Sequence, residues 1–331
     1  MALERQEITV AICTRNRQGT VRTPITAVLE GTYRRVRVLV IDQSDDDSTF
    51  SALSDLLRDC RLEYHRCDRI GVSHARNHAL MLSTGPLVLF TDDDCEPGPT
   101  WVSEMATAAG ACRGAFMIFG PLVPDPRAES RGVVPSWIPK ANAVRRSGLS
   151  RCLGGLTANA GISREAINSV GLFNTALGRG TPLNAGEDYE YTLRLLSRGG
   201  YVVEVTCPAV MHHGVVPANG VRQWLRHDLV AAGTMLGWHC RRGNRFALPQ
   251  FVHLVLKEAV PAAKAAARFR RPAGLARAVW LSRGFLQGLT VRQPRPSRQL
   301  TPYCGEASNW TAVEPDARTS QAVGMTAGGG G

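Results

Sequence analysis

The chain has 331 residues, 44% hydrophobic and 20% charged, an ordinary soluble composition with room for one large α/β domain, alone or with a smaller appendage. Nine scattered cysteines without a CxxC pair argue against zinc and read as reduced, mostly buried thiols of a cytoplasmic protein; no signal peptide is read at the polar N-terminus, and no uninterrupted apolar stretch is long enough to span a bilayer. The net charge of +11 is concentrated, since residues 241–300 hold 13 Lys/Arg and one acid, Glu258, and the remainder is close to neutral.

In chain order, Ile8–Cys13 reads as a short buried strand, followed by a helix near Thr20–Leu29. Val36–Ile41 is a second strand, ending on Asp42, and Ser48 caps a helix to about Arg58. Leu62–Arg66 is a third strand; Ser73 is the expected cap of the next helix, closed by Thr84 and Gly85. Leu87–Phe90 is a fourth strand that runs into Asp92, Asp93 and Asp94, and Pro99 opens a helix through Ala109. Short apolar strands alternating with helices predict a doubly wound, mostly parallel sheet with helices on both faces.

Residues 121–150, rich in Pro, Arg and Ser and carrying Trp137, read as a long loop of the lid or binding type. Order resumes at Leu153–Ile162; Ser163 caps a short helix that Gly171 stops. A glycine-rich stretch, Gly178–Gly186, opens onto a helix from Glu187 to Arg198, then a strand Tyr201–Val205 and Val210–His213. From Val221 the chain reads as helical with breaks at Pro249, Pro261 and Pro272, and beyond Gln293 as a disordered tail. The expected organisation is a catalytic domain over 1–220, its nucleotide-binding half ending near 121 and its acceptor half spanning 122–220, then a helical basic segment over 221–292 and the tail over 293–331.

The three adjacent aspartates carry the most chemistry. A solvated turn would tolerate them, but they follow a buried strand in line with Asp42, and ligands of doubly wound sheets bind beyond the strand ends. A hard divalent cation prefers such oxygens and attracts phosphate. Gly186-Glu187-Asp188 opens a helix, where acids favour the dipole; the glycines before it also allow close approach to a ligand, and an acid there can take a proton from a hydroxyl. His212 and His213 are structural histidines or ligands that join carboxylates around a manganese-like ion. Arg76 is a surface arginine or a guanidinium turned toward the strand ends, suited to a nucleotide.

Taken together, Ile8-Thr-Val-Ala-Ile-Cys-Thr-Arg-Asn-Arg17, Val40-Ile-Asp42, Gly71-Val-Ser-His-Ala-Arg-Asn77, Phe90-Thr-Asp-Asp-Asp94 and Gly186-Glu-Asp188 resemble, in order and spacing, a family-two glycosyltransferase of the GT-A fold over about residues 8–215. The resemblance implies a nucleotide-sugar enzyme that transfers one sugar with inversion. Thr14, Arg15 and Asn16 would line the nucleotide pocket; Asp42 would accept from the imide N–H of a uracil or thymine; Arg76 would help hold the nucleotide. Asp92 and Asp93 would position the donor, Asp94 with His212 would hold Mn²⁺ or Mg²⁺ on the diphosphate, and Asp188 would be the general base, with Glu187 and Trp137 toward the acceptor. Cys13 and Arg15 replace the family's usual Pro and Tyr, which leaves the base-stacking partner open. Gln223-Trp-Leu-Arg226-His227 meets the Gln-x-x-Arg-Trp motif of processive synthases only in part and reads as a helix face.

The donor expected is a UDP- or dTDP-sugar and the acceptor a lipid-linked, polysaccharide or natural-product hydroxyl. Within the basic segment, Leu275, Val279, Phe285, Leu286 and Leu289 share a helical face edged by Arg277 and Arg283. Such a helix lies on an anionic membrane, giving a cytoplasmic protein peripheral to the inner face, or packs on the catalytic domain. Nucleic acid is disfavoured, since no recognisable module or aromatic platform accompanies the charge. The rival functions are a sugar nucleotidyltransferase, which would want a glycine-rich phosphate loop after the first strand, and a catalytically silent nucleotide-binding scaffold on the membrane.

Overall fold

The computed structural model describes residue 3 and residues 6–145, 155–267 and 273–291. The expected tail, part of the 121–150 loop and the link that contains Pro272 lie outside the described residues.

The sheet grows from strands that are apolar on both faces, the signature of strands covered on each side by helices. β1 (Ile8–Thr14), β2 (Val36–Asp42), β3 (Leu62–Arg66) and β4 (Leu87–Asp92) run parallel, with α1 (Arg22–Glu30), α2 (Ser48–Leu53) and α3 (Val72–Leu82) between them. A turn joins β4 to β5 (Cys95–Pro97), and α4 (Trp101–Gly110), β6 (Phe116–Phe119) and β7 (Leu122–Pro124) follow. The segment expected to be loop carries the short strands β8 (Gly132–Val133) and β9 (Ala143–Arg145). Then come β10 (Ala160–Ser163), α5 (Arg164–Val170), α6 (Glu187–Ser197), β11 (Tyr201–Glu204), β12 (Val210–His212) and β13 (Val216–Pro217). Three helices close the described chain: α7 (Val221–Arg241), α8 (Ala247–Ala267) and α9 (Ala273–Thr290).

The large sheet has the order β3-β2-β1-β4-β10-β6-β11-β9. It is parallel except at β10, antiparallel to both neighbours, and at the edge pair β9–β11. A small sheet, β5-β12-β7, brings His212 beside Cys95. One core, which includes Leu39, Phe90, Phe119 and Tyr191, packs under α3, α5, α6 and α7; another, with Ile12, Ile25, Val40 and Trp101, packs under α1 and α4. The sheet is therefore buried from both sides.

Several boundaries differ from the sequence reading. Gly71, at φ 124°, stands at the start of α3, and the Ser73 hydroxyl instead donates to the Leu177 carbonyl at 2.7 Å, tying α3 to the loop before α6. The helix after Pro99 starts at Trp101, and the one after Ser48 ends at Leu53, with a separate 3-10 turn at Leu56–Arg58. The predicted breaks at Pro249 and Pro261 do not occur: α8 runs unbroken over both, Pro249 falling in its first turn where no N–H is needed. Ser163 does cap α5, its hydroxyl accepting from the Ala166 N–H at 3.1 Å.

Candidate active site

In register, Thr14 pairs with Asp42 and Cys13 with Asp92, so β1, β2 and β4 end together. Whatever follows them shares one edge of the sheet. The Thr14 hydroxyl donates to Asp93 Oδ2 at 2.8 Å. A single nitrogen, Arg17 Nη1, donates to Asp93 Oδ1 at 3.1 Å and to Asp94 Oδ2 at 2.5 Å. The other oxygen of Asp94 lies 3.3 Å from His212 Nε2. His212 Nδ1 is 2.8 Å from the Pro135 carbonyl, which can only accept, so Nδ1 carries a proton and Nε2 is the nitrogen presented to Asp94.

Asp93 and Asp94 are nearly equally covered but respond oppositely. Burial pushes Asp93 up to about 7, more than Arg17 lowers it. Burial also opposes ionisation of Asp94, yet the bond from His212 and the charge of Arg17 outweigh it and hold Asp94 well below the usual carboxylate range. Burial lowers His212, and the bond to Asp94 together with the charges of Asp94 and Asp92 and the Pro135 carbonyl raises it by more. Asp94 is thus held ionised more strongly than its neighbour Asp93.

The two histidines part company. His213 Nδ1 is 2.9 Å from Asp125 and its Nε2 is 3.0 Å from Glu96, so it bridges two carboxylates away from Asp94. One atom each of Asp94, Cys95 and His212 lie within 4.8 Å of one another. Carboxylate and imidazole suit a manganese-like ion, and an imidazole whose far nitrogen donates to a backbone carbonyl is the usual arrangement of a metal ligand. Burial pushes the Cys95 thiol up, which disfavours its thiolate, and a soft sulfur is a poorer match than oxygen for a hard cation. Asp94 and His212 therefore fit a hard divalent cation that completes its shell with water and phosphate oxygens.

A second acidic wall comes from α6. Gly186, at φ 90°, precedes the helix, and a Cβ at Gly178, at φ 95°, would crowd Val72 at 2.6 Å and the Glu187 carboxyl at 3.2 Å. Glycine at these points lets the loop fold against α3 and present the helix start. Buried Arg76 then joins the walls: Nη1 donates to Glu187 at 2.7 Å and Asp188 at 3.1 Å, and Nη2 meets Asp92 at 3.5 Å. Burial disfavours this guanidinium, but Asp188, Glu187 and Asp92 together raise its pKa, so it stays charged. Asp188 also accepts from the Thr157 hydroxyl at 2.7 Å and the Thr157 N–H at 3.1 Å. Burial, then the neighbouring charge of Glu187, push Asp188 up to about 7 against the pull of Arg76.

At the far end of the edge, Asn16 takes a left-handed conformation, φ 55°. Its N–H donates to the Ser44 hydroxyl at 2.8 Å, and both it and Arg15 bond Asp45. Asp42, expected to meet the base directly, is fully buried in this structure. It accepts from the Ser44 N–H and hydroxyl on one oxygen and from the Tyr64 hydroxyl on the other. It therefore holds the pocket wall rather than presenting a free oxygen. Trp137 packs edge-on against Phe119 and over Gly155, two residues before Thr157, which places it on the Asp188 side. Gln223 and Arg226 stand exposed near the start of α7.

Arg17 and Thr157 are the contacts that sequence reasoning missed. Arg17 sits inside the Ile8–Arg17 run and could have been marked by its distance from the aspartates along the sheet edge. Thr157 lies 31 residues from its partner, and no local pattern announces it.

Comparisons with known proteins agree with this architecture. Residues 9–170 match the model of the family described as glycosyl transferase family 2. Succinoglycan biosynthesis protein ExoM of Rhizobium meliloti is 27% identical over 229 residues, 66% of this chain and 70% of that protein. Among solved structures, the mannosyltransferase PcManGT from Pyrobaculum calidifontis, in complex with GDP-Man and Mn²⁺, aligns with TM-score 0.56 and 19% identity, covering 86% of this chain and 88% of that one. S. aureus TarS 1–349 aligns with TM-score 0.52 and 15% identity, covering 85% and 92%. The large, mostly parallel sheet with its helices is thus that of a GT-A fold, and residues 9–170 match glycosyl transferase family 2.

Proposed function

We propose that the chain moves one sugar from a nucleoside-diphosphate sugar to an acceptor hydroxyl, with inversion at the anomeric carbon. The observation that carries this reading is Arg76, whose single guanidinium spans Asp92 on the donor wall and Asp188 on the opposite wall. Two acidic clusters 93 to 96 positions apart in sequence are thereby joined through one guanidinium.

Among the described residues, Asp92, Asp93, Asp94, Glu187 and Asp188 are paired with two guanidiniums, Arg17 and Arg76. A diphosphate meets repulsion there unless a cation accompanies it. Asp94 and His212 would hold Mn²⁺ or Mg²⁺, which, when bound, neutralises charge developing on the departing diphosphate. Thr14 fixes Asp93, and Asn16, Ser44 and Asp42 shape the nucleoside pocket. Asp188 accepts the acceptor's hydroxyl proton; the freed oxygen pair forms the new bond to the anomeric carbon as the bond to phosphate breaks and its electrons leave with the nucleoside diphosphate. Thr157 orients the Asp188 carboxylate, and its raised affinity for a proton suits a base working near neutrality. A UDP- or dTDP-sugar donor and a lipid-linked, polysaccharide or natural-product acceptor are the classes assigned. The relative ExoM, named for succinoglycan biosynthesis, supports the polysaccharide class.

The test is thermal-shift screening with UDP-, dTDP- and GDP-sugars, each with and without Mn²⁺. Stabilisation that requires nucleotide and metal together is expected. A shift with nucleoside triphosphates and release of pyrophosphate would favour a nucleotidyltransferase; no shift with any pair would remove the nucleotide site.

A further inference from the structure

Arg17 has an unusual placement for a phosphate-site arginine. One of its nitrogens bridges Asp93 Oδ1 and Asp94 Oδ2, so a positive charge already sits on the carboxylate whose other oxygen faces His212. Yet the side chain is about half exposed, 49%, and stands on the loop that follows the left-handed turn at Asn16. The carboxylates are by contrast nearly covered and fixed: Thr14 holds Asp93, and His212, in turn held by Pro135, faces Asp94. The acids are rigid and the guanidinium is the member that can leave.

We propose that Arg17 is an internal counter-ion that competes with the divalent cation for Asp94 and, once displaced, turns onto the phosphates of the incoming donor. This rests on the metal-site reading above and adds a coupling to it. Without Arg17 the site would keep Asp93 and Asp94 side by side next to Asp92, with only His212 on Asp94 and the neutral Thr14 hydroxyl on Asp93 as their side-chain partners among the described residues. With it, a cation arriving alone must expel a +1 charge into water and gains correspondingly little. A cation arriving with a diphosphate gives the expelled guanidinium an anionic partner, for which its fork of donors is suited. Metal and donor then bind with positive coupling, and by linkage each raises the affinity of the other by the same factor. Loss of metal after product release would be favoured for the same reason, since Arg17 returns to the aspartates.

The test uses the whole protein and Mn²⁺ itself, followed by the electron paramagnetic resonance of free ion or by calorimetry. Without nucleotide, Arg17→Gln is expected to bind Mn²⁺ about tenfold more tightly than wild type, within the usual range of coupling between sites. Arg17→Lys, which keeps a positive charge, is expected to stay closer to wild type. In the presence of Mn²⁺, Arg17→Gln is expected to bind UDP more weakly than wild type and UMP nearly as well, because the lost partner belongs to the phosphate beyond the first. Equal or weaker Mn²⁺ binding by Arg17→Gln, with wild type binding normally, would overturn the competition alone. Undiminished UDP binding would overturn the transfer of Arg17 to phosphate. If neither protein binds Mn²⁺, the metal site itself falls and the proposal with it.

Discussion

Asp188 shows how one side chain can be strongly held and still be reactive. It takes bonds from Arg76 and from both donors of Thr157, which fix its direction, while burial and Glu187 disfavour its charge. In the proposed mechanism the deprotonated form is the base. A value raised to about 7 moves the acid limb upward from the ordinary carboxylate range. The rate in kcat/KM should therefore rise about tenfold per pH unit below that point and flatten above it. Asp188→Asn should remove this limb and lower turnover by about 10² to 10⁴, the usual contribution of a general base, while nucleotide and Mn²⁺ still bind. Unchanged turnover would exclude Asp188 as the base. The sequence marked Asp188, Asp94 and Arg76 because their surroundings are local: an acid run at a strand end, acids after glycines. It could not show that Asp42 would be enclosed by Ser44 and Tyr64, since Tyr64 comes from β3, 22 positions away. Nor could it divide His212 from His213, because their partners, Pro135 on one side and Glu96 and Asp125 on the other, lie on separate segments.

Among the elements, α7 matters most for linking the active site to the rest. A Cβ on Gly186, the glycine that opens α6, would meet Ala231 at 3.4 Å, His239 bonds Glu190 at 3.1 Å, and Asn244 beyond α7 bonds Ser197 at 2.7 Å. The helix carrying Asp188 is thus backed by the C-terminal helices. α7 and α9 pack through two glycine pairs, Gly233 and Gly237 against Gly284 and Gly288. A Cβ on Gly233 would strike the Leu281 carbonyl, one on Gly237 the Phe285 carbonyl, and one on Gly284 the Val230 carbonyl. Backbone atoms cannot rotate away, so Gly237→Ala and Gly284→Ala should each destabilise by about 1–3 kcal/mol, the range for overpacking, read by urea unfolding. Gly98→Ala, with nothing within 4 Å of the new methyl, is the control and should be nearly neutral. The strands of the catalytic half were legible because four buried runs each end in a polar cluster. The α7–α9 seam was not, because glycine four apart in a helix carries no hydrophobic signal, and the prolines of α8 pointed to breaks that tertiary packing overrides.

At the scale of the whole molecule, the basic segment acquires a face. α8 and α9 run antiparallel: Phe251 stacks on Phe285 with ring centroids 3.8 Å apart, and Glu258 pairs with Arg277 at 3.6 Å. Phe285, grouped in the sequence with Leu275, Val279, Leu286 and Leu289 on one face, points inward. What remains outside is Leu248, Val252, Leu256 and Val260 on α8 and Leu275, Val279 and Leu286 on α9, each 45% to 63% exposed. Spacings of four and seven draw each set into a ridge. The α9 ridge lies away from Gly284 and Gly288, which face α7, and the α8 ridge away from Ala247 and Gln250, which are buried. The two ridges therefore share the outer side of the hairpin. Exposed Arg241, Arg242, Arg245, Lys257 and Arg283 accompany them, and the segment's one acid is engaged by Arg277. Apolar ridges with a cationic surround match an anionic bilayer, whose headgroups attract each nearby Lys or Arg by about 1 kcal/mol. No helix among the described residues is long and apolar enough to cross a membrane, so the contact proposed is one of lying on the surface. Wild-type protein should sediment with phosphatidylglycerol-containing vesicles, less with pure phosphatidylcholine, and less again at 1 M salt. Leu256→Asp with Val279→Asp should abolish sedimentation while leaving Mn²⁺-dependent nucleotide binding intact, because neither residue reaches the catalytic edge. If wild type ignores the vesicles but forms a dimer that the double variant splits, the ridges belong to a second copy of the chain. If the double variant sediments as wild type does, charge alone recruits the protein and the ridges take no part. Should the expected result hold, the backing of α6 by α7 would fix the base helix relative to the lipid surface, and a lipid-linked acceptor could be met by a site already oriented toward it.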